Sequence, residues 1–280
     1  MTSGASLKSR LRQLLVQTPL RHAAGPIFEG LVAAELFVLE SLDARTRAER
    51  CDLRRVTAIV KTFERPRQLQ RLLRSVRARW PELRVIVADD SRRPVSVAGV
   101  RTVKLPFDSG VAAGRQAALD IVDTELTWVL DDDFVLGSAS NPTAAVELLT
   151  RHATLDLLGG DVVDLPFGFQ RGSPTDRVYP TQASPVTALG TRFGGAIVCD
   201  KVPNFFVART ERLRLVGWDE RLRRLEHGDF FTRARGVLTS AFLPSFWCFH
   251  AQSPFDAHYM QYRDAIADDE ALLRVRYGLG

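Results

Sequence analysis

The chain has 280 residues, 45% of them hydrophobic, enough to bury a sizeable core, which excludes disorder for its bulk and fits one large domain with at most a short appendage. Its 38 basic and 33 acidic residues are interspersed, with a formal net charge of +5 and no long basic block, so no nucleic-acid partner is expected. Three scattered cysteines, Cys51, Cys199 and Cys248, make neither a disulfide framework nor a zinc knuckle and point to a reducing, cytoplasmic setting.

Residues 1–53 read as an N-terminal helical arm or flank ahead of a main domain over 54–280. Lys8, Arg10, Arg12 and Arg21 occur without an acid among Leu11, Leu14, Leu15 and Val16. Residues 8–21 therefore suit either a basic arm docked on the domain or peripheral association with an anionic membrane at its inner face. The apolar run from Gly25 to Leu42 is broken by Glu29, Glu35 and Glu40 and makes a poor membrane span. No signal peptide is evident.

Val56 to Val60 is a β-branched apolar run, as a buried parallel strand would be. Pro66 then suits a first helical turn, and Leu69, Leu72, Leu73 and Val76 recur at helical spacing until Trp80-Pro81. Strands are expected at 84–88, near 101–105 and at 126–130, with a helix from about Gly110 to Val122 before the last. That order predicts an α/β fold whose central sheet is mostly parallel and flanked by helices. Residues 165–192, rich in Pro and Gly, read as a long loop, a lid or acceptor loop. Asn204 to Ala208 reads as a strand, Glu211 to Val216 as a short helix, and Leu238 to Leu243 as another strand.

In parallel sheets ligands sit beyond the carboxyl ends of the strands, where Thr62, Arg65, Asp89 and Asp90 fall here. Asp131-Asp132-Asp133 follows the apolar run Leu126 to Leu130. In extended chain Asp131 and Asp133 would project to one side about 7 Å apart. A divalent cation, Mn²⁺ or Mg²⁺, would relieve their repulsion and neutralise a diphosphate. His250, after the run Phe246 to Phe249, offers an imidazole nitrogen to the same ion. In Glu226-His227-Gly228-Asp229-Phe230-Phe231 a carboxylate beside aromatics can gain the proton affinity of a general base. Asp229 is the expected base, and Glu226 would cap a helix or pair with Arg223 or Arg224. Gly110 and Gly114 either let backbone approach a nucleotide, with Arg115 opposing phosphate, or make a plain tight turn.

Together, Val56 to Arg65, Ile86-Val-Ala-Asp-Asp-Ser91, Ala112-Ala-Gly-Arg115, Trp128 to Val135 and Val202 to Arg209 resemble the catalytic domain of ganglioside-type β-1,4-N-acetylgalactosaminyltransferases. More broadly they resemble family 2-like inverting transferases of the GT-A fold, a Rossmann-like nucleotide-diphospho-sugar transferase architecture. The resemblance covers roughly residues 54–255. It implies that Thr62, Arg65 and Asp90 surround a uridine, that Arg115 approaches the nucleotide and that Asp131 faces the ribose and metal side, with Asp132 among the nucleotide-binding residues. It further implies that Asp133 and His250 hold the metal, that Asp229 is the base, and that Asn204 and Phe205 shape the sugar or acceptor pocket. The implied reaction moves a sugar, GalNAc or a related hexose, from a UDP-sugar to an acceptor hydroxyl with inversion. A membrane anchor and stem like those of the Golgi enzymes are not seen, and the 165–192 loop differs, so the expected acceptor is a glycan or lipid-linked sugar reached from the cytoplasm.

Two other readings compete. Asp131-Asp-Asp133-Phe-Val135 fits the Asp-x-Asp-x-Val pattern of haloacid-dehalogenase-like phosphatases, but the only lysine downstream is Lys201. A catalytically inactive module binding sugar nucleotides or glycans would need neither Asp133 nor Asp229.

Overall fold

A computed structural model describes residues 21–43, 52–171 and 178–279. Residues 8–20, Cys51 and part of the 165–192 loop lie outside them. The first helix, α1 (Arg21–Asp43), buries Val32 and Leu36 against Val135, Leu165 and Ala251, so the end of the N-terminal flank packs on the main domain. No helix among the described residues is long and apolar enough to cross a membrane.

The strands are β1 (Val56–Thr62), β2 (Arg84–Asp89), β3 (Arg101–Lys104), β4 (Leu126–Asp131), β5 (Phe134–Val135), β6 (Leu157–Asp164), β7 (Phe169–Arg171), β8 (Arg192–Phe193), β9 (Ala196–Val198), β10 (Phe206–Arg209) and β11 (Ser240–His250). They form one sheet ordered β3-β2-β1-β4-β10-β6-β11-β9-β8, with β5 on β11 and β7 on β6. β3, β2, β1 and β4 are mutually parallel. β10 runs antiparallel between β4 and β6, and β6 and β11 are again parallel. The expected mostly parallel centre is therefore present: β3, β2, β1, β4, β6 and β11 run one way, β10 is reversed between β4 and β6, and β5, β7 and β9 are antiparallel additions at the margins.

β1, β2 and β4 are where the apolar runs put them, because each is buried on both faces over most of its length. The helix α2 (Pro66–Arg79) buries Leu69, Leu72, Leu73 and Val76, the same four positions whose spacing marks it in sequence. After it come α3 (Val111–Asp120), α4 (Thr143–Arg151), α5 (Thr210–Val216), α6 (Glu226–Ala234), α7 (Ala257–Arg263) and α8 (Ala267–Tyr277). One core cluster centres on Trp128, whose ring meets Trp80, Phe205 and Phe246 at 5.5–6.1 Å between centroids. The other centres on Phe206, Phe230, Phe231 and Trp218.

β11 extends well past the expected 238–243. Its pairing with β6 shifts register between Phe242 and Trp247, around Pro244, which cannot donate a ladder hydrogen bond. Beyond the shift, His250 stands opposite Asp164 on β6 and opposite Phe134 on β5. This second half of β11 carries a histidine to the strand end where the three aspartates lie.

Candidate active site

A cavity of about 340 Å³ opens beyond the carboxyl ends of β1 and β4, under α6 and α7. It is lined by Arg65, Arg115, Asp131, Asp132, Asp133 and His250 of the residues expected there, joined by Lys61, Asn204, Glu226, Tyr259 and Arg263.

The acidic triplet is divided among different partners rather than presented as one chelate. Asp131 ends β4 and accepts from Arg115 Nη2 at 2.5 Å. Asp132 accepts from Thr62 Oγ1 at 2.7 Å and pairs with Arg65. Burial pushes its pKa up to about 6, with Asp133 adding to the rise and Arg65 opposing it. Asp133 accepts from Arg65 Nη1 at 2.8 Å and faces His250 Nε2 at 3.3 Å. Burial disfavours its charge, but His250 and Arg65 outweigh that and hold it far below the usual carboxylate range.

His250 Nδ1 lies 2.8 Å from Asp164 Oδ1, so its ring is oriented by one acid and aimed at another. Burial alone would lower its pKa, and the two carboxylates instead raise it to about 9. Among the described residues no three His, Cys, Asp or Glu side chains converge as a metal cage. What the donor chemistry offers is a two-ligand half-site, Asp133 with His250. That suits a hard cation taking its remaining ligands from phosphate and water.

Four expected residues do not reach the cavity: Thr62, Asp90, Phe205 and Asp229. Thr62 is buried behind Asp132. Asp90 is fully buried, with Lys61 Nζ 2.7 Å from Oδ1 and the Gly110 amide donating to Oδ2 at 2.9 Å; Lys61 is the group of that pair that lines the cavity. Phe205 packs in the core against Phe246 with centroids 4.3 Å apart, so only its neighbour Asn204 faces the opening.

The expectation for Asp229 requires correction. Its side chain is fully buried and is not part of the cavity lining. Arg233 Nε donates to one oxygen at 2.7 Å, while Tyr277 at 2.7 Å and Arg276 hold the other. A carboxylate so buried and paired with two guanidinium groups has no access to an acceptor from the cavity. Glu226, at the start of α6, lines the cavity instead. It pairs with Arg115 Nη1 at 2.5 Å rather than with Arg223 or Arg224, which pair with Asp108. Burial raises the pKa of Glu226, Arg115 counters, and Asp131 adds to the rise.

The two glycines before Arg115 serve close packing. Gly110 has φ +102°, and a Cβ there would fall 2.6 Å from Arg223 Cα; at Gly114 it would fall 2.4 Å from Lys61 Cγ. This closeness lets α3 bring Arg115 between Asp131 and Glu226. Nε of both Arg65 and Arg115 is buried without a partner among the described residues.

Lys61, Glu226, Tyr259 and Arg263 are site residues that the sequence reading does not select. Lys61 lies inside the β1 pattern and Glu226 in the hexapeptide quoted above, whereas nothing local marks Tyr259 or Arg263. They arrive with α7, which docks by Tyr259 over Arg65 at 4.1 Å and Tyr262 against Phe63 at 5.1 Å.

This arrangement, a polar cavity at the strand ends of a mostly parallel central sheet with a reversed strand between β4 and β6, is that of the GT-A fold. Residues 57–140 match the sequence model described as Glycosyl transferase family 2. Over 194 residues the chain is 36% identical to Beta-1,4 N-acetylgalactosaminyltransferase 2 of Mus musculus, covering 65% of this chain and 36% of that protein. It is 36% identical over 198 residues to Beta-1,4 N-acetylgalactosaminyltransferase 1 of Homo sapiens, with the same coverage. The chain thus spans about a third of the length of these relatives. Among solved structures, S. aureus TarS 1–349 superposes with a TM-score of 0.53 at 19% identity, covering 70% of this chain and 60% of that one. TarS 1–349 in complex with UDP-GlcNAc superposes with a TM-score of 0.54 at 19% identity, covering 72% of this chain and 61% of that one.

Proposed function

We propose that this protein is a metal-dependent inverting glycosyltransferase that moves a sugar, GalNAc or a related N-acetylhexosamine, from a UDP-sugar to a hydroxyl of a glycan or lipid-linked acceptor. The observation that carries the reading is a single cavity bringing together three kinds of group that the reaction needs. These are a carboxylate with raised proton affinity, Glu226, an Asp133–His250 half-site, and a set of guanidinium and ammonium groups.

Glu226 is the base of this account. Its carboxylate takes the proton of the acceptor hydroxyl, the oxygen attacks the anomeric carbon, and the bond to the diphosphate breaks on the opposite face, so the configuration inverts. Arg115 holds Glu226 and Asp131 in fixed relation during that transfer. Arg65 anchors Asp132 and Asp133, and Asp164 keeps the His250 ring turned toward Asp133. Asp133 and His250 would hold Mn²⁺ or Mg²⁺, which when bound neutralises charge on the departing diphosphate, and His250 must shed its extra proton to accept it. The basic stretch at residues 8–21 supports peripheral attachment of a cytoplasmic enzyme to an anionic membrane, testable by vesicle sedimentation of the full chain.

The test is release of UDP from a panel of UDP-sugars with Mn²⁺, Mg²⁺ or EDTA. Metal-dependent release from one donor supports the reading, and names the sugar. Failure of every UDP-sugar to bind or turn over would sink it.

A further inference from the structure

Five lysine and arginine side chains line the cavity among the described residues: Lys61, Arg65, Arg115, Arg224 and Arg263. Four are already committed to carboxylates. Lys61 pairs with Asp90, Arg65 with Asp132 and Asp133, Arg115 with Asp131 and Glu226, and Arg224 with Asp108. Arg263, the last residue of α7, has no hydrogen bond or ion pair to a carboxylate among the described residues.

The segment that carries Arg263 is firmly placed. His258 Nε2 is 2.6 Å from Glu64 Oε2, the Tyr259 ring covers the Arg65 guanidinium at 4.1 Å, and Tyr262 packs edge-on against Phe63 and Phe107 at 5.1 and 5.6 Å. Arg224 Nε also donates to the Tyr262 carbonyl at 2.9 Å. α7 is thus held in place from His258 to Tyr262, and Arg263 at its end lines the same cavity as Asp131 and Asp133. Burial opposes its charge, yet Tyr259, Asp133 and Asp131 leave its proton held more tightly than usual. Arg263 is exposed at the rim of the cavity, and a guanidinium with five donors and no carboxylate partner fits an anion that arrives with the ligand, its planar fork matching phosphate oxygens.

We infer that Arg263 is the cation that binds the diphosphate of the nucleotide sugar. This rests on the transferase reading above. Arg263 touches the donor in this account and takes up charge on the leaving diphosphate, while the four paired cations keep the carboxylates in place.

The experiment is calorimetric binding of UDP, UMP and uridine to the full-length wild type, Arg263→Ala and Arg263→Lys, each with Mn²⁺ and with EDTA, with thermal melts to verify folding. Losing a charge-assisted contact to phosphate should weaken UDP by about 10-fold or more, weaken UMP less, and leave uridine within about twofold. Lys should restore part of the loss. Unchanged UDP affinity in a folded Arg263→Ala overturns the inference and leaves the transferase reading standing. An equal loss for uridine and UDP also overturns it, since the defect then lies in the nucleoside pocket. A wild type that binds none of the three overturns both.

Discussion

Arg115 and Glu226 meet at 2.5 Å although 111 residues separate them, and both are almost fully buried. The pair ties the start of α3 to the start of α6 and fixes a carboxylate at the wall of the cavity. Because Arg115 also holds Asp131, one guanidinium joins the end of β4 to the start of α6.

Glu226→Gln should lower turnover by about 10² to 10⁴ while leaving UDP affinity nearly unchanged, as loss of a general base does. Asp229→Asn should act mainly on stability, because it breaks the contacts with Arg233 and Arg276 inside the protein. Parallel kinetics and thermal melts of the two variants check this. A larger turnover loss in Asp229→Asn than in Glu226→Gln would reverse the assignment.

The pH profile follows from the same pair. Glu226 must be ionised to act, and its pKa is raised above the ordinary 4.5, so kcat/KM should climb with pH through an inflection above 4.5. Arg115 opposes the rise and Asp131 contributes to it. Arg115→Ala should therefore move the acid limb to higher pH and Asp131→Asn to lower pH. Inflections unmoved in both variants would detach Glu226 from the limb.

Asp133→Ala should abolish the response to Mn²⁺, and EDTA should do the same to the wild type. Asp164→Asn removes the carboxylate that orients the His250 ring, so it should weaken metal affinity by about 10-fold or more with the maximal rate at saturating metal less affected. Metal titrations of activity separate the two outcomes.

The β6–β11 junction that delivers His250 leaves no room at Gly160, where a Cβ would lie 2.1 Å from the Phe246 carbonyl oxygen. Gly160→Ala should destabilise by roughly 1–3 kcal/mol, the range for overpacking, and shift the chemical-denaturation midpoint accordingly. A midpoint equal to wild type would mean that the bulged strand adjusts freely.

Much of the scaffold can be read from the chain. Val56 to Val60, the Leu69–Val76 stripe and the Leu126–Leu130 run are local patterns, and burial on one or both faces makes them what they are. The aspartates at the end of β4 are legible for the same reason. The choice between Glu226 and Asp229 is not. Both lie in one turn of α6, and what removes Asp229 from the site are Arg276 and Tyr277 on α8, 47 and 48 residues away. Tyr259 and Arg263 are similarly hidden, since their place depends on the docking of α7 against Phe63, Glu64 and Arg65. Pro244 and the exposed residue beside it mask the continuation of β11, because a strand that shifts register loses its two-residue alternation.

The central claim is that the cavity beneath α6 and α7 is a UDP-sugar site, and a crystal structure of the protein with UDP and Mn²⁺ tests it most directly. The account predicts UDP in the cavity lined by Lys61, Asp131, Asp133, Glu226 and Arg263, with the ion between Asp133 and the diphosphate. UDP seated instead in the separate cavity lined by Glu64, Ser91, Arg92 and Arg93 would contradict it.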